Sequence, residues 1–78
     1  MSLVRLKNSD KYLLRIPNKG NETLAIRVFD AFDNLVYENS ESISGDFAKL
    51  YDLKRIGTNF RFEVIDQSGS TQQLTYPH

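Results

Sequence analysis

Apolar and polar side chains alternate through much of this chain, most clearly in residues 59–66. There, Phe60, Phe62 and Val64 alternate with two charged residues. A period of two is typical of a strand with one buried face and one solvated face. Short turn signals interrupt similar patterns elsewhere, so the chain predicts a small antiparallel β domain.

The same alternation marks seven segments as strands, and no segment predicts a helix. The predicted strands are residues 3–7, 11–17, 23–30, 35–40, 47–53, 59–66 and 70–76. Such short strands, separated by turn residues at intervals of roughly 8–12 residues, are typical of a β-sandwich or barrel.

The first predicted hairpin joins residues 23–30 to 35–40 through a four-residue loop closed by Asp30 and Leu35. Asn34 tolerates a positive φ, which favours a turn there. The resulting register pairs Val28 with Tyr37, Arg27 with Glu38, and Phe29 with Val36. The first pair points inward, the second is an attractive outward pair, and the third lies on the outer surface.

The second predicted hairpin joins residues 59–66 to 70–76. A two-residue loop would place Val64 opposite Gln73, whereas a three-residue loop over residues 67–69 keeps apolar partners together. We therefore expect the register Val64–Gln72, Phe62–Leu74 and Phe60–Tyr76. This loop requires Gly69 in the left-handed conformation.

The inward face of residues 47–53 is left open by the pattern. Phe47, Tyr51 and Leu53 point inward with Leu50 outward, or the reverse. In the first case Lys49 shares the inward face, and its charged end has to reach the rim of the sandwich.

Residues 51–64 resemble the corner between the fifth and sixth strands of fibronectin type III-like and other immunoglobulin-like sandwiches. The resemblance implies that Leu53 and Ile56 bridge two sheets and that Phe60 takes the place of the corner tyrosine. Phenylalanine has no hydroxyl, so the usual corner hydrogen bond is absent. The proline common in the fibronectin corner is missing too.

A longer resemblance covers about residues 24–76 and is carried by residues 26–30, 33–38, 51–53 and 60–64. These pieces are similar to small β-sandwich modules of secreted Bacteroidetes proteins, including the C-terminal sorting domains of the type IX secretion route. The tail from Gln72 to Pro77 lacks the lysine or arginine of a sorting signal. This departure favours a module over a sorting role.

We therefore expect a seven-stranded antiparallel immunoglobulin-like β-sandwich. One sheet holds residues 3–7, 11–17 and 47–53, and the other holds 35–40, 23–30, 59–66 and 70–76 in that spatial order. The predicted core is Val4, Leu6, Tyr12, Leu14, Ile16, Leu24, Ile26, Val28, Leu35, Tyr37, Leu53, Ile56, Phe60, Phe62, Val64, Leu74 and Tyr76.

Size and composition narrow the possibilities further. The 78 residues predict one domain, with 1–3 and 77–78 vector-derived or disordered, and no signal peptide or membrane span. Ten basic residues balance ten acidic ones, and there is no cysteine. We therefore expect no nucleic-acid partner, no membrane insertion and no thiolate metal site.

No catalytic motif stands out, so we expect a protein that is not an enzyme and that needs no cofactor. The single histidine, His78, is terminal, and terminal residues are poorly fixed. Asp30, Asp33 and Asn34 share one turn and carry the oxygen ligands that calcium prefers. The same residue types are ordinary turn formers, which is the interpretation we favour.

The most promising surface feature is an outward apolar set formed by Phe29, Phe32 and Val36. We expect it to be the interaction face of a non-enzymatic accessory module outside the cytoplasm, in the periplasm, at the cell surface or secreted. The partner would be a protein, a neighbouring domain or a second copy. The alternatives are a secretion-sorting domain and a carbohydrate-binding module that stacks sugars on Phe32 and Tyr51.

Overall fold

The computed structural model describes residues 1–77, and this part of the chain forms seven strands and no helix. The strands are β1 (Ser2–Arg5), β2 (Lys11–Ile16), β3 (Asn21–Asp30), β4 (Leu35–Ser44), β5 (Phe47–Asp52), β6 (Phe60–Ile65) and β7 (Thr71–Tyr76). Every predicted strand is present. His78, to which no role was assigned, lies outside the described residues.

The strands form two antiparallel sheets. The three-stranded sheet has the order β1-β2-β5, and the four-stranded sheet has the order β4-β3-β6-β7. The division into sheets and both orders agree with the prediction. The chain is therefore a small all-β domain of two sheets.

Aromatic rings from the two sheets meet in one core. Tyr12 of β2 lies 4.9 Å from Phe60 of β6, and Tyr51 of β5 lies 5.1 Å from Phe62, all measured between ring centroids. The buried hydrophobic residues are Leu3, Tyr12, Leu14, Leu24, Ile26, Val28, Ile43, Tyr51, Leu53, Phe60, Phe62 and Val64. Ile16, Tyr37, Ile56, Leu74 and Tyr76 pack partly buried against them, as expected.

The β6–β7 hairpin has the predicted register, with Val64 opposite Gln72, Phe62 opposite Leu74 and Phe60 opposite Tyr76. Gly69 has a φ of 88°, as the three-residue turn requires. The Asp66 carboxylate accepts hydrogen bonds from the N–H groups of Ser68 and Ser70, which holds the turn.

The β3–β4 hairpin differs from the prediction at its turn. Val28 and Arg27 have their expected partners, but a bulge after Val28 places Phe29 opposite Leu35 instead of Val36. The turn is a three-residue one closed by Asp30 and Asn34, and Asp33 instead of Asn34 has the positive φ, at 63°. The Asp30 carboxylate holds it as Asp66 holds the other turn, so the two strand exits share one geometry.

Three residues assigned to the core are exposed instead. In β1, Leu3 lies opposite the buried Leu14, so the neighbouring Val4 faces outward and is 50% exposed. Leu6 lies beyond the end of β1, in the turn that precedes β2. The bulge in β4 places Leu35 beside the outer face, where it is half exposed. Leu3 and Ile43, which were not assigned to the core, are buried.

The sequence pattern did not settle where β4 ends or which face of β5 is buried. β4 continues to Ser44, beyond the predicted end at residue 40, because its polar residues pair with β3 along their whole length. In β5, the first alternative holds: Tyr51 and Leu53 are buried, and Leu50 is exposed. Lys49 consequently points between the sheets.

Candidate functional site

A mainly apolar recess lies between the two edge strands β4 and β5. These strands follow each other in the chain, but each belongs to a different sheet. The chain passes between the sheets at Gly45, whose φ of 76° favours glycine. Away from this crossing, the start of β4 and the end of β5 enclose a recess of about 440 Å³, which we call the edge cleft.

The walls of the edge cleft are aliphatic and its mouth is cationic. Val36 lies on the β4 side, and Leu50, Leu53 and Ile56 lie on the β5 side. The exposed side chains of Asp52, Lys54 and Arg55 line the same recess at the end of β5, where the two cations outnumber the one carboxylate. Such a recess suits a partner that brings both apolar and acidic groups.

An ion pair bridges the two sheets beside the edge cleft. The Lys49 ammonium lies 2.7 Å from Glu41 Oε1 and donates a second hydrogen bond to the Tyr37 hydroxyl at 3.1 Å. It also lies 5.6 Å from the centroid of the Tyr51 ring. The hydrogen bond to Glu41, followed by the one to Tyr37, raises the pKa of Lys49 well above its ordinary value. Lys49 therefore keeps its charge throughout the physiological range.

The pair places one inward-pointing charge on each of two open sheet edges: Glu41 on β4 and Lys49 on β5. A strand added to either edge would bury these charges, and natural sheets use this device against edge-to-edge association. The sequence pattern predicted that Lys49 would have to reach the rim. It did not predict the partner, since Glu41 lies on the other sheet.

Replacing the pair with apolar residues should leave stability nearly unchanged and make the protein associate. For Lys49→Met combined with Glu41→Leu, we expect a free energy of unfolding within about 1 kcal/mol of wild type, because apolar replacement of a paired charge is often neutral. Light scattering should reveal association, since both edges lose their protecting charges. The exchanged pair, Lys49→Glu with Glu41→Lys, is the control and should stay as dispersed as wild type. An equally dispersed apolar variant would contradict this role.

The Tyr51 hydroxyl is an unusual feature of the core beside the cleft. It is buried and has no hydrogen-bond partner among the described residues. Burial raises the pKa of Tyr51 to about 12, so the side chain stays neutral. Because the whole residue is only 5% exposed, it has no ring face on which a sugar could stack. Of the two aromatic residues assigned to sugar stacking, only Phe32 is therefore exposed enough for that role.

The predicted interaction residues occupy three different surroundings. Phe32 stands at the tip of the β3–β4 turn and is 85% exposed. Val36, 42% exposed, belongs to the wall of the edge cleft. Phe29 lies on the outer face of the four-stranded sheet, where the Arg61 guanidinium covers its ring at 4.4 Å. Leu35, which was assigned to the core, adds a further exposed apolar side chain near Phe32 and Val36.

The oxygens of the β3–β4 turn are used within the protein. Asp30 Oδ1 accepts hydrogen bonds from the N–H groups of Phe32 at 2.8 Å and Asn34 at 2.9 Å. These bonds, that of Asn34 first, lower the pKa of Asp30. Asp33 Oδ1 lies 2.9 Å from the Arg61 guanidinium. Within residues 1–77, no group of three or more histidine, cysteine or carboxylate side chains could hold a metal ion.

The outer faces of the two sheets differ in character. On the four-stranded sheet, Arg27 pairs with Glu38 at 2.6 Å and with Glu63 at 3.5 Å, and Gln73 donates to Glu63. On the three-stranded sheet, one row across all strands consists of Val4, Leu13 and Leu50. This row, the outer stripe, was missed, although three successive apolar residues at 12–14 indicate a strand with apolar groups on both faces.

The balanced net charge conceals an unequal distribution between the sheets. Residues 1–19 and 47–59, which form the three-stranded sheet and its turns, carry eight of the ten basic and two of the ten acidic residues. Residues 20–46 and 60–77, which form the four-stranded sheet, carry the remaining eight acidic and two basic residues. The edge cleft lies on the boundary, with its cationic mouth on the basic side.

No family model, curated protein or solved structure matches the chain. Residues 1–77 contain no helix that could span a membrane.

Proposed function

We propose that this chain is a non-enzymatic interaction module that binds a protein partner at the edge cleft and the adjoining β3–β4 turn. The observation that carries the proposal is the concentration of exposed apolar side chains there. Phe32, Leu35 and Val36 are 85%, 50% and 42% exposed within a short stretch of chain, beside a recess of about 440 Å³. Exposed apolar groups around a recess are typical of binding surfaces.

The proposed fold is a seven-stranded immunoglobulin-like sandwich. The strand order supports it, because β1-β2-β5 and β4-β3-β6-β7 correspond to A-B-E and C′-C-F-G in the usual naming of such domains. Leu53 and Phe60 are buried and Ile56 packs against the core, as the fibronectin-like corner implies. The proposed location outside the cytoplasm rests on the resemblance to modules of secreted Bacteroidetes proteins.

The substitution Phe32→Ser tests the proposed surface. Phe32 is largely exposed, so we expect the free energy of unfolding to fall by less than about 0.5 kcal/mol. The melting temperature should therefore change little. The affinity of peptides selected from a displayed library should fall. Leu6→Ser, another exposed apolar position outside the cleft, is the matched control. If Phe32→Ser leaves every such association unaltered, the proposed surface is wrong.

A further inference from the structure

We propose that the partner of the edge cleft is an extended acidic segment that pairs as an additional strand with the free edge of β5. This inference rests on the proposed function and names the partner's chemistry. Three independent features of the site carry it: a free strand edge, an amphipathic recess beside that edge, and an excess of cations that only acidic side chains would balance.

The backbone of β5 is available on one side. Its residues pair with β2 from Lys11–Asp52 to Ile16–Phe47, and no strand within residues 1–77 pairs with its other side. An edge strand presents unpaired N–H and C=O groups that an extended peptide can pair with. The edge cleft lies on this open side, so a strand added there would contact Val36 and Ile56 with alternate side chains.

The charges around this edge select the kind of strand. A covering segment would remove water from Lys49, which is one-third exposed, and would lie beside Lys54 and Arg55. An ammonium group has three donors, and Glu41 and Tyr37 accept two of those of Lys49. A neutral or basic segment would leave these cations dehydrated at a large cost, whereas carboxylates would pair with them. The device that protects the edge from neutral strands thus favours an acidic one.

A second copy of the chain is the competing occupant, because β4 is itself an extended edge strand with two glutamates and no basic residue. In that arrangement, the Glu41 that pairs with Lys49 in each copy would have to serve two partners. Pairing of β4 in one copy with β5 in the next would also be a heterologous contact, which leads to a ring or an open filament. We therefore assign the site to a separate acidic segment.

Synthetic peptides test this assignment directly. The probe is a fluorescent peptide of about eight residues alternating glutamate and valine, long enough for one ordinary strand. Its binding to the full chain is followed by fluorescence anisotropy. We expect saturable binding that weakens between about 0.05 and about 0.3 M salt, because exposed charges are then screened. A peptide with lysine in place of glutamate, and an acidic peptide N-methylated at alternate residues, should bind at least about tenfold more weakly.

Charge reversal on the protein locates the site. Lys54→Glu combined with Arg55→Glu should abolish binding of the acidic peptide. The control, Arg15→Glu combined with Lys19→Glu, changes the net charge equally on the same sheet away from the cleft and should retain binding. Equal binding of the lysine peptide, or of the N-methylated peptide, would overturn the proposal. So would self-association by sedimentation that the acidic peptide does not compete with.

The outcomes separate this inference from the proposed function. If the acidic peptide fails to bind while Phe32→Ser weakens other associations, the module interacts through this surface and only the partner's chemistry is wrong. If the acidic peptide binds and Phe32→Ser has no effect on any association, the strand edge is the site and the turn is not part of it.

Discussion

Replacing Phe62 with alanine should lower the free energy of unfolding by about 3–5 kcal/mol, as truncation of a buried aromatic side chain typically does. Phe62 is fully buried, and its ring lies 5.1 Å from that of Tyr51 in the other sheet and 5.8 Å from that of Phe60. A chain of this length has a total stability on the order of 4–12 kcal/mol. The variant should therefore be close to unfolding, with its urea midpoint shifted far below that of wild type.

Two further substitutions make this test specific. Phe62→Leu keeps most of the apolar volume and should cost clearly less than Phe62→Ala. Phe32→Ala removes an identical ring from an exposed position and should change stability by no more than about 0.5 kcal/mol. A loss below about 1 kcal/mol for Phe62→Ala would contradict the packing of the two sheets around this ring.

The β6–β7 hairpin shows which parts of the fold the sequence predicts well. Its strands alternate without interruption, and a shift of one residue would expose Phe60, Phe62 and Val64 together. Only one loop length keeps apolar partners opposite each other, so the position of Gly69 follows from the pattern. The order of strands in both sheets was also predicted, but from the resemblance to immunoglobulin-like sandwiches and not from the alternation.

The errors lie where two successive apolar residues or a polar run remove the alternation. Leu3 and Val4 are equally apolar, so the inward face of β1 depends on the pairing of Leu3 with Leu14. Residues 39–42 are polar and show no apolar alternation, yet β4 continues through them to Ser44, because the sandwich edge there is partly solvated and Glu41 contacts Lys49. The bulge that moves Leu35 to the outer face cannot be predicted from the alternation of apolar and polar residues.

The candidate site was less predictable than the fold, because it depends on contacts between sheets. The exposure of Phe32 follows from its place in a turn. The covering of Phe29 by Arg61 requires the pairing of β3 with β6. The charge asymmetry was hidden by a net charge of zero and emerges only when strands are assigned to sheets. The charges balance when they are counted along the chain, but a partner responds to the summed charge of the surface that it contacts.

Alkaline titration should destabilise the domain through Tyr51. Burial raises the pKa of its hydroxyl from 10.0 to about 12 in the folded protein. Above about pH 10 an unfolded chain releases this proton, while the folded protein retains it. The free energy of unfolding should therefore fall as the pH rises from about 10 to about 12, and this group alone should account for about 2–3 kcal/mol. Urea unfolding at a series of pH values measures the fall.

Tyr51→Phe separates this contribution from other alkaline effects. The hydroxyl has no partner among the described residues, so its removal should raise stability at neutral pH by about 1 kcal/mol. The fall above pH 10 should become shallower without vanishing, because the pKa values of Lys49 and Tyr12 are also raised and act in the same direction. A variant that is less stable than wild type at neutral pH would show that the hydroxyl is hydrogen-bonded in solution. An unchanged alkaline slope would show that Tyr51 ionises as readily in the folded chain as in the unfolded one.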